Sequence, residues 1–182
     1  MTAKKLALMA IFVALALMIF IVEAQIPMPI PVPGVKLGLA NAVTLFALFW
    51  QDKGTVPLSS RDRGTVPLSH GNVFAVLLCR ILLGALFTGR FVAFVYSLTG
   101  GVLGFVAQVV MKRFVSRKQI WVCGAVGAVA HNIGQIVAAM VITGTPAIIA
   151  YLPVLIIAGV FTGILTGFIA QFTVERLSKG SN

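Results

Sequence analysis

Residues 120–142 carry no charged side chain, yet they hold His131, Asn132 and Gln135 in their middle. About 20 apolar residues in a helix span the hydrocarbon of a bilayer. His131 and Gln135 are four apart and stack on one helix face, and Asn132 lies close to that face. Polar side chains at bilayer depth are costly, so they point into a protein interior or a wet cavity. This stretch therefore needs other helices around it, with a polar interior for these three side chains to enter.

The rest of the chain supplies such helices. Its 182 residues are 59% hydrophobic and 10% charged, against about 45–50% and about 25% in soluble domains. Apolar runs cover roughly 3–22, 35–50, 73–87, 91–111, 120–142 and 148–172. They predict an all-α integral membrane protein, a six-transmembrane-helix bundle occupying residues 1–182 as one membrane domain. The first run is long enough to span and has no small-residue cleavage pattern before Glu23, so it reads as a membrane helix and not a signal peptide. The net charge of +10 comes from basic residues in the short connections between runs. With six spans, Lys4, Lys5, Lys53, Arg61, Arg63, Lys112, Arg113, Arg117, Lys118, Arg176 and Lys179 share one side, and only Lys36 and Arg90 face the other. The positive-inside rule then puts both termini in the cytoplasm, in a multi-pass protein of the cytoplasmic membrane. No basic face with interleaved aromatics is present, which argues against nucleic acid as a partner. Cys79 and Cys123 each sit inside an apolar run and suggest neither a disulfide nor a metal site.

Several local features carry sharper expectations. Ala3, Ala7, Ala10 and Ala14 recur on helix one, a small-residue face suited to packing inside the bundle or to docking a partner. Residues 23–34 hold prolines at 27, 29, 31 and 33, which fix φ and remove donors. This apolar, extended segment is either a lid over a pocket or a plain connector. Helix two, from about 35 to 50, includes Lys36, Gly38, Asn41 and Thr44. Over residues 51–72 the unit Asp52-Lys-Gly-Thr-Val-Pro-Leu-Ser recurs as Asp62-Arg-Gly-Thr-Val-Pro-Leu-Ser, an inserted duplicated loop on the cytoplasmic side to which no chemistry is assigned. Arg80 lies at the centre of helix three, where insertion costs about 2.5–3.5 kcal/mol. Its acceptor is a carboxylate such as Glu23, the His131/Asn132/Gln135 cluster, an anionic ligand, or backbone carbonyls or the loop. Gly100, Gly101 and Gly104 imply close packing or a local irregularity of helix four, and Gly159, Gly163 and Gly167 form a ridge for close helix contact.

The four acidic residues, Glu23, Asp52, Asp62 and Glu175, are scattered. No carboxylate pair suits acid–base catalysis, no P-loop binds nucleotide, and His131 has no nucleophile at motif spacing. No catalytic residue, metal site or cofactor is expected. A bundle with an interior polar cluster is the outline of a membrane protein that binds a small molecule.

Gly34-Val-Lys-Leu-Gly-Leu-Ala-Asn41, Arg80-Ile-Leu-Leu-Gly84, Gly127-Ala-Val-Ala-His-Asn-Ile-Gly-Gln135 and Tyr151-Leu-Pro-Val-Leu-Ile-Ile-Ala-Gly-Val-Phe-Thr-Gly163 resemble the Gx transporter family, also catalogued as heptaprenyl diphosphate synthase component I. The resemblance covers nearly the whole chain and departs from it at 51–72. The family's layout is similar to that of the substrate-binding S-components of energy-coupling-factor transporters. It implies uptake of a vitamin-like small molecule, with a membrane coupling protein and ABC ATPases as partners and lipid around the bundle. Carried over, Asn41, Arg80, His131, Asn132 and Gln135 line the pocket, while Ala10 and Ala14 face the coupling protein. The second family name implies a different role, a non-catalytic membrane subunit of heptaprenyl diphosphate synthase in quinone side-chain synthesis. A prenyl diphosphate synthase holds magnesium on aspartate-rich motifs, and two aspartates ten apart do not provide one.

Overall fold

In lipid a backbone must satisfy its own N–H and C=O groups, so an apolar run of spanning length folds as a helix. The computed structural model describes residues 3–26, 36–50, 68–89 and 91–179. Its helices are α1 (Ala3–Glu23), α2 (Asn41–Trp50), α3 (His70–Thr88), α4 (Phe91–Met111), α5 (Ile120–Thr143) and α6 (Leu152–Lys179). Short 3₁₀ turns at Arg117–Gln119 and Pro146–Tyr151 lead into α5 and α6. There is no strand among the described residues. Five helices, α1 and α3–α6, are long and apolar enough to cross a membrane. This is a membrane protein of the helical kind.

The polarity of the bundle is reversed from that of a soluble domain. Leu86, Phe91, Val141 and Phe161 are each more than 70% exposed on the outside. Glu23, Asn41, Arg80, Gln108, His131, Asn132 and Gln135 are all buried. Lipid is a good solvent for the first group and a poor one for the second.

α2 departs most from expectation. The apolar run predicts a helix from about residue 35, but the helix has ten residues and starts at Asn41. At 1.5 Å per residue that is about 15 Å, half of a bilayer's hydrocarbon core. Gly38 takes a left-handed φ of 79°, which a residue with a Cβ adopts only at a cost of about 1–2 kcal/mol. This bend, followed by the turn at Leu39–Ala40, stops the helix from extending backward. α2 packs against all five long helices, and seven of its ten residues are buried. The shortest helix is therefore the axis of the bundle.

Both ends of α2 meet the charge that a helix dipole favours. At its C-terminus Lys112 Nζ donates to the Leu48 carbonyl at 2.6 Å. Near its N-terminus the Gly38 N–H donates to Glu23 Oε1 at 2.6 Å. Non-helical backbone at membrane depth is tolerated only where it is buried in protein or lines a cavity, and residues 36–40 are half-buried or buried.

Glycine seams bring α4, α5 and α6 together. A Cβ on Gly134 would stand 2.9 Å from Gly100 Cα, and one on Gly104 would stand 2.9 Å from the Gly127 carbonyl. α4 is a continuous helix, so its glycines serve close packing. The expected ridge on α6 is also a contact: Gly163 lies on Gly124, and Gly167 lies on the Trp121 backbone.

α1 packs inward through Met9, Phe12, Ala16 and Phe20. Ala3, Ala7, Ala10 and Ala14 are exposed, so the small-residue face does not pack inside the bundle. His70, Gly71 and Asn72, expected in the duplicated loop, form the first turn of α3. Leu68 and Ser69 precede it, while 51–67 of that loop and residues 27–35, which hold the four prolines, lie outside the described residues.

Candidate functional site

Four of the five predicted site residues converge where the non-helical strip before α2 crosses the middles of α3, α4 and α5. Arg80, about halfway along α3, is 3% exposed. Its Nη2 donates to Asn41 Oδ1 at 2.6 Å. The sequence supplied several acceptors for Arg80, but not Asn41, which is 39 residues away. Glu23, one of the expected partners, is close enough for a favourable charge interaction with Arg80, and its carboxylate faces the N–H groups of Gly38 and Leu39.

His131 and Gln135 meet as the four-residue spacing predicts. Their Nε2 atoms are 3.0 Å apart. Gln135 Oε1 already accepts the Lys36 N–H at 3.2 Å, so Gln135 Nε2 is the donor and His131 Nε2 the acceptor. The imidazole proton then sits on Nδ1, which lies against Gly100. This network ties α5 to the strip before α2. Gly38 lies between the two halves of the site: a Cβ there would stand 2.8 Å from His131 Cδ2 and 3.0 Å from Asn41 Nδ2. Gly38→Ala is expected to cost about 1–2 kcal/mol from the backbone alone and to push His131 off Gln135. Thermal unfolding in detergent checks the first effect, and the His131 side-chain NMR signals check the second.

Asn132 does not join this group. Its Nδ2 donates to the Leu155 carbonyl at 2.6 Å, a tie between α5 and the first turn of α6. The side chain next to His131 on a helix points about 100° away, and here that direction is α6. Asn132 holds two helices together, and Asn132→Leu is expected to lower the unfolding free energy by about 1–3 kcal/mol through the lost hydrogen bond. Denaturant titration of the purified variant measures that loss.

The sequence reading passed over Gln108. It is 3% exposed on α4 and packs against Gly127 of α5. Its signal was an amide inside an apolar run, the same signal that marked Asn132. Gln108, Asn41, Leu37, Ala128, Thr162 and Thr166 line a narrow cavity beside the cluster, with room for about one water. Asn41 Nδ2 and Gln108 Oε1 have no hydrogen-bond partner among the described residues, and neither has Arg80 Nε. Arg80 Nε and Asn41 Nδ2 are both donors, and they leave the cluster around α2 with unused capacity for an acceptor. Two cations, Arg80 and Lys36, face one carboxylate there. The site is donor-rich.

The family described as heptaprenyl diphosphate synthase component I matches residues 12–57 and 65–173. The chain belongs to that family. The match includes α2–α5 and with them Asn41, Arg80, Gln108, His131 and Gln135. It lapses over 58–64, inside the duplicated segment. No curated protein and no solved structure matches the chain. Among the described residues no group of three or more His, Cys, Asp or Glu side chains is placed to hold a metal ion.

Proposed function

We propose that this chain is a non-catalytic membrane subunit of a heptaprenyl diphosphate synthase, holding a phosphorylated isoprenoid by its head group while a partner enzyme performs the condensation. The observation that carries this reading is the buried, donor-rich cluster of Arg80, Asn41 and the strip before α2, inside a bundle whose family bears that name. An isoprenoid diphosphate joins an apolar chain to an anionic head. A helical bundle in lipid takes the first on its surface, and Arg80 with two backbone N–H groups suits the second. Condensation itself needs magnesium held on clustered carboxylates, and the chain's acidic residues are scattered. That step is therefore assigned to the partner.

Uptake of a small solute is the second reading, and one observation favours it. A half-length helix whose N-terminus points into the centre of the bundle is how many transporters address an anionic substrate. In that reading Asn41, Arg80, His131 and Gln135 contact the solute, the exposed Ala10 and Ala14 dock a coupling protein, and both termini are cytoplasmic.

A pull-down of the tagged chain from native membranes in mild detergent, with partners read by mass spectrometry, separates the two. Recovery of a soluble, aspartate-rich prenyl synthase is the expected result. Recovery of a membrane coupling protein with ABC ATPases instead would overturn the synthase reading and establish uptake.

A further inference from the structure

The anion seat at the head of α2 is already taken, by a carboxylate of the chain itself. Glu23 is the last residue of α1, and it is 5% exposed. It reaches across to the strip before α2, where Oε1 accepts the Gly38 N–H at 2.6 Å and the Leu39 N–H faces the same carboxylate. Arg80 and Lys36 are its cationic neighbours. A backbone bend of this kind, with N–H groups converging near a helix N-terminus, is an anion-binding concavity.

Two observations say that the seat is built for more than Glu23. Among the described residues Arg80 Nε, on a side chain 3% exposed, has no acceptor. Asn41 Nδ2, 3.0 Å from the point where a Gly38 Cβ would stand, has none either. A phosphate or diphosphate brings several acceptor oxygens and more than one negative charge. It would satisfy both orphan donors, which one carboxylate does not. Yet the Gly38 N–H already donates to Glu23 Oε1 at 2.6 Å, so a phosphate takes that donor only by replacing the carboxylate.

We propose that Glu23 is an internal latch: its carboxylate occupies the seat formed by the Gly38 and Leu39 N–H groups and Arg80, and a phosphate-bearing ligand binds by displacing it. Because Glu23 ends α1, release requires only the last turn of that helix to loosen. The Gly38 and Leu39 N–H groups pass from the carboxylate to phosphate oxygens, and Arg80 keeps Asn41 while gaining a second acceptor. Displacement also changes the end of α1, which lies next to the proline segment in the chain. The latch rests on the reading that this cluster takes an anion.

The test is calorimetric titration of the purified full chain in mild detergent with inorganic diphosphate, with farnesyl diphosphate and with farnesol. Glu23→Gln keeps an oxygen for the Gly38 N–H and removes the competing charge. It is expected to tighten binding of both diphosphates at least tenfold and to leave farnesol unaffected. Equal affinity in the wild type and Glu23→Gln would show that Glu23 is only a helix cap, and the latch would be wrong while the anion site stood. Absence of diphosphate binding in both proteins would remove the anion site and the latch together. A preference for farnesyl diphosphate over inorganic diphosphate marks a lipid head group as the ligand, and the reverse marks a free anion; tightening by Glu23→Gln supports the latch in either case. If Glu23→Gln does not fold, infrared difference spectra of the wild type decide. Displacement shifts the carboxylate stretch of glutamate labelled with ¹³C on addition of diphosphate, and an unchanged band on binding rules displacement out.

Discussion

Arg80→Met is expected to lower the unfolding free energy by about 3 kcal/mol or more, the usual cost of removing one partner from a buried charge pair. Methionine fills much of the arginine's volume, so cavity formation is a small part of that loss. The larger part is electrostatic. Without the guanidinium, Glu23 stays buried beside α2 with only Lys36 and backbone N–H groups to oppose it. Asn41 Oδ1 also loses its donor at 2.6 Å, and an unpaired buried amide costs about 1–3 kcal/mol. The diagnostic variant is the double one. Arg80→Met with Glu23→Gln removes both charges, and it should be less destabilised than the sum of the single variants by about 1–3 kcal/mol. Reversible denaturation in mild detergent, followed by tryptophan fluorescence, measures all three. Additive losses would mean that Arg80 and Glu23 do not interact across α2. The same Arg80→Met protein, where it folds, should bind no diphosphate.

The second large effect is expected at the α5–α6 seam. A Cβ on Gly163 would stand 2.6 Å from Ala125 Cα and 2.8 Å from the Gly124 carbonyl carbon. A Cβ on Gly167 would press on the backbone of Trp121. These obstacles are backbone atoms, which cannot rotate away, so the helices must separate. Gly163→Val is therefore expected to cost more than the 1–3 kcal/mol or so typical of overpacking. Separation also pulls Leu155 from Asn132, so the loss includes a buried hydrogen bond. Gly159→Ala is the informative contrast. Its Cβ would approach the Asn132 amide nitrogen at 2.7 Å, the end of a side chain that can move. A milder loss is expected there. Unfolding midpoints of Gly163→Val, Gly163→Ala and Gly159→Ala in one detergent test the ranking, and an equal effect at 159 and 163 would show that the seam is not backbone on backbone.

Several parts of this architecture were readable from the chain alone. The apolar runs predicted six spanning helices, and five of them are long enough to cross a membrane, because in lipid a run of that length has no other way to satisfy its backbone. The glycine spacings on α4 and α6 marked the close seams, since periodicity along one helix shows which residues share a face. His131 and Gln135 were paired for the same reason, their hydrogen bond being local to one helix. Other features depended on chain segments far apart in sequence, and no spacing rule reaches those. Asn41 as the acceptor for Arg80 arises only when α2 is set between α3 and α5. Asn132 turns to α6 because Leu155 offers its carbonyl there. The half length of α2 was hidden in an apolar run, where Gly38 bends the chain and gives its N–H to Glu23 from the end of α1. The sequence determined the helices and which of their residues had to be inside. Tertiary packing decided which polar group each interior residue met, because buried donors and acceptors pair according to where the helices bring them and not according to their distance along the chain.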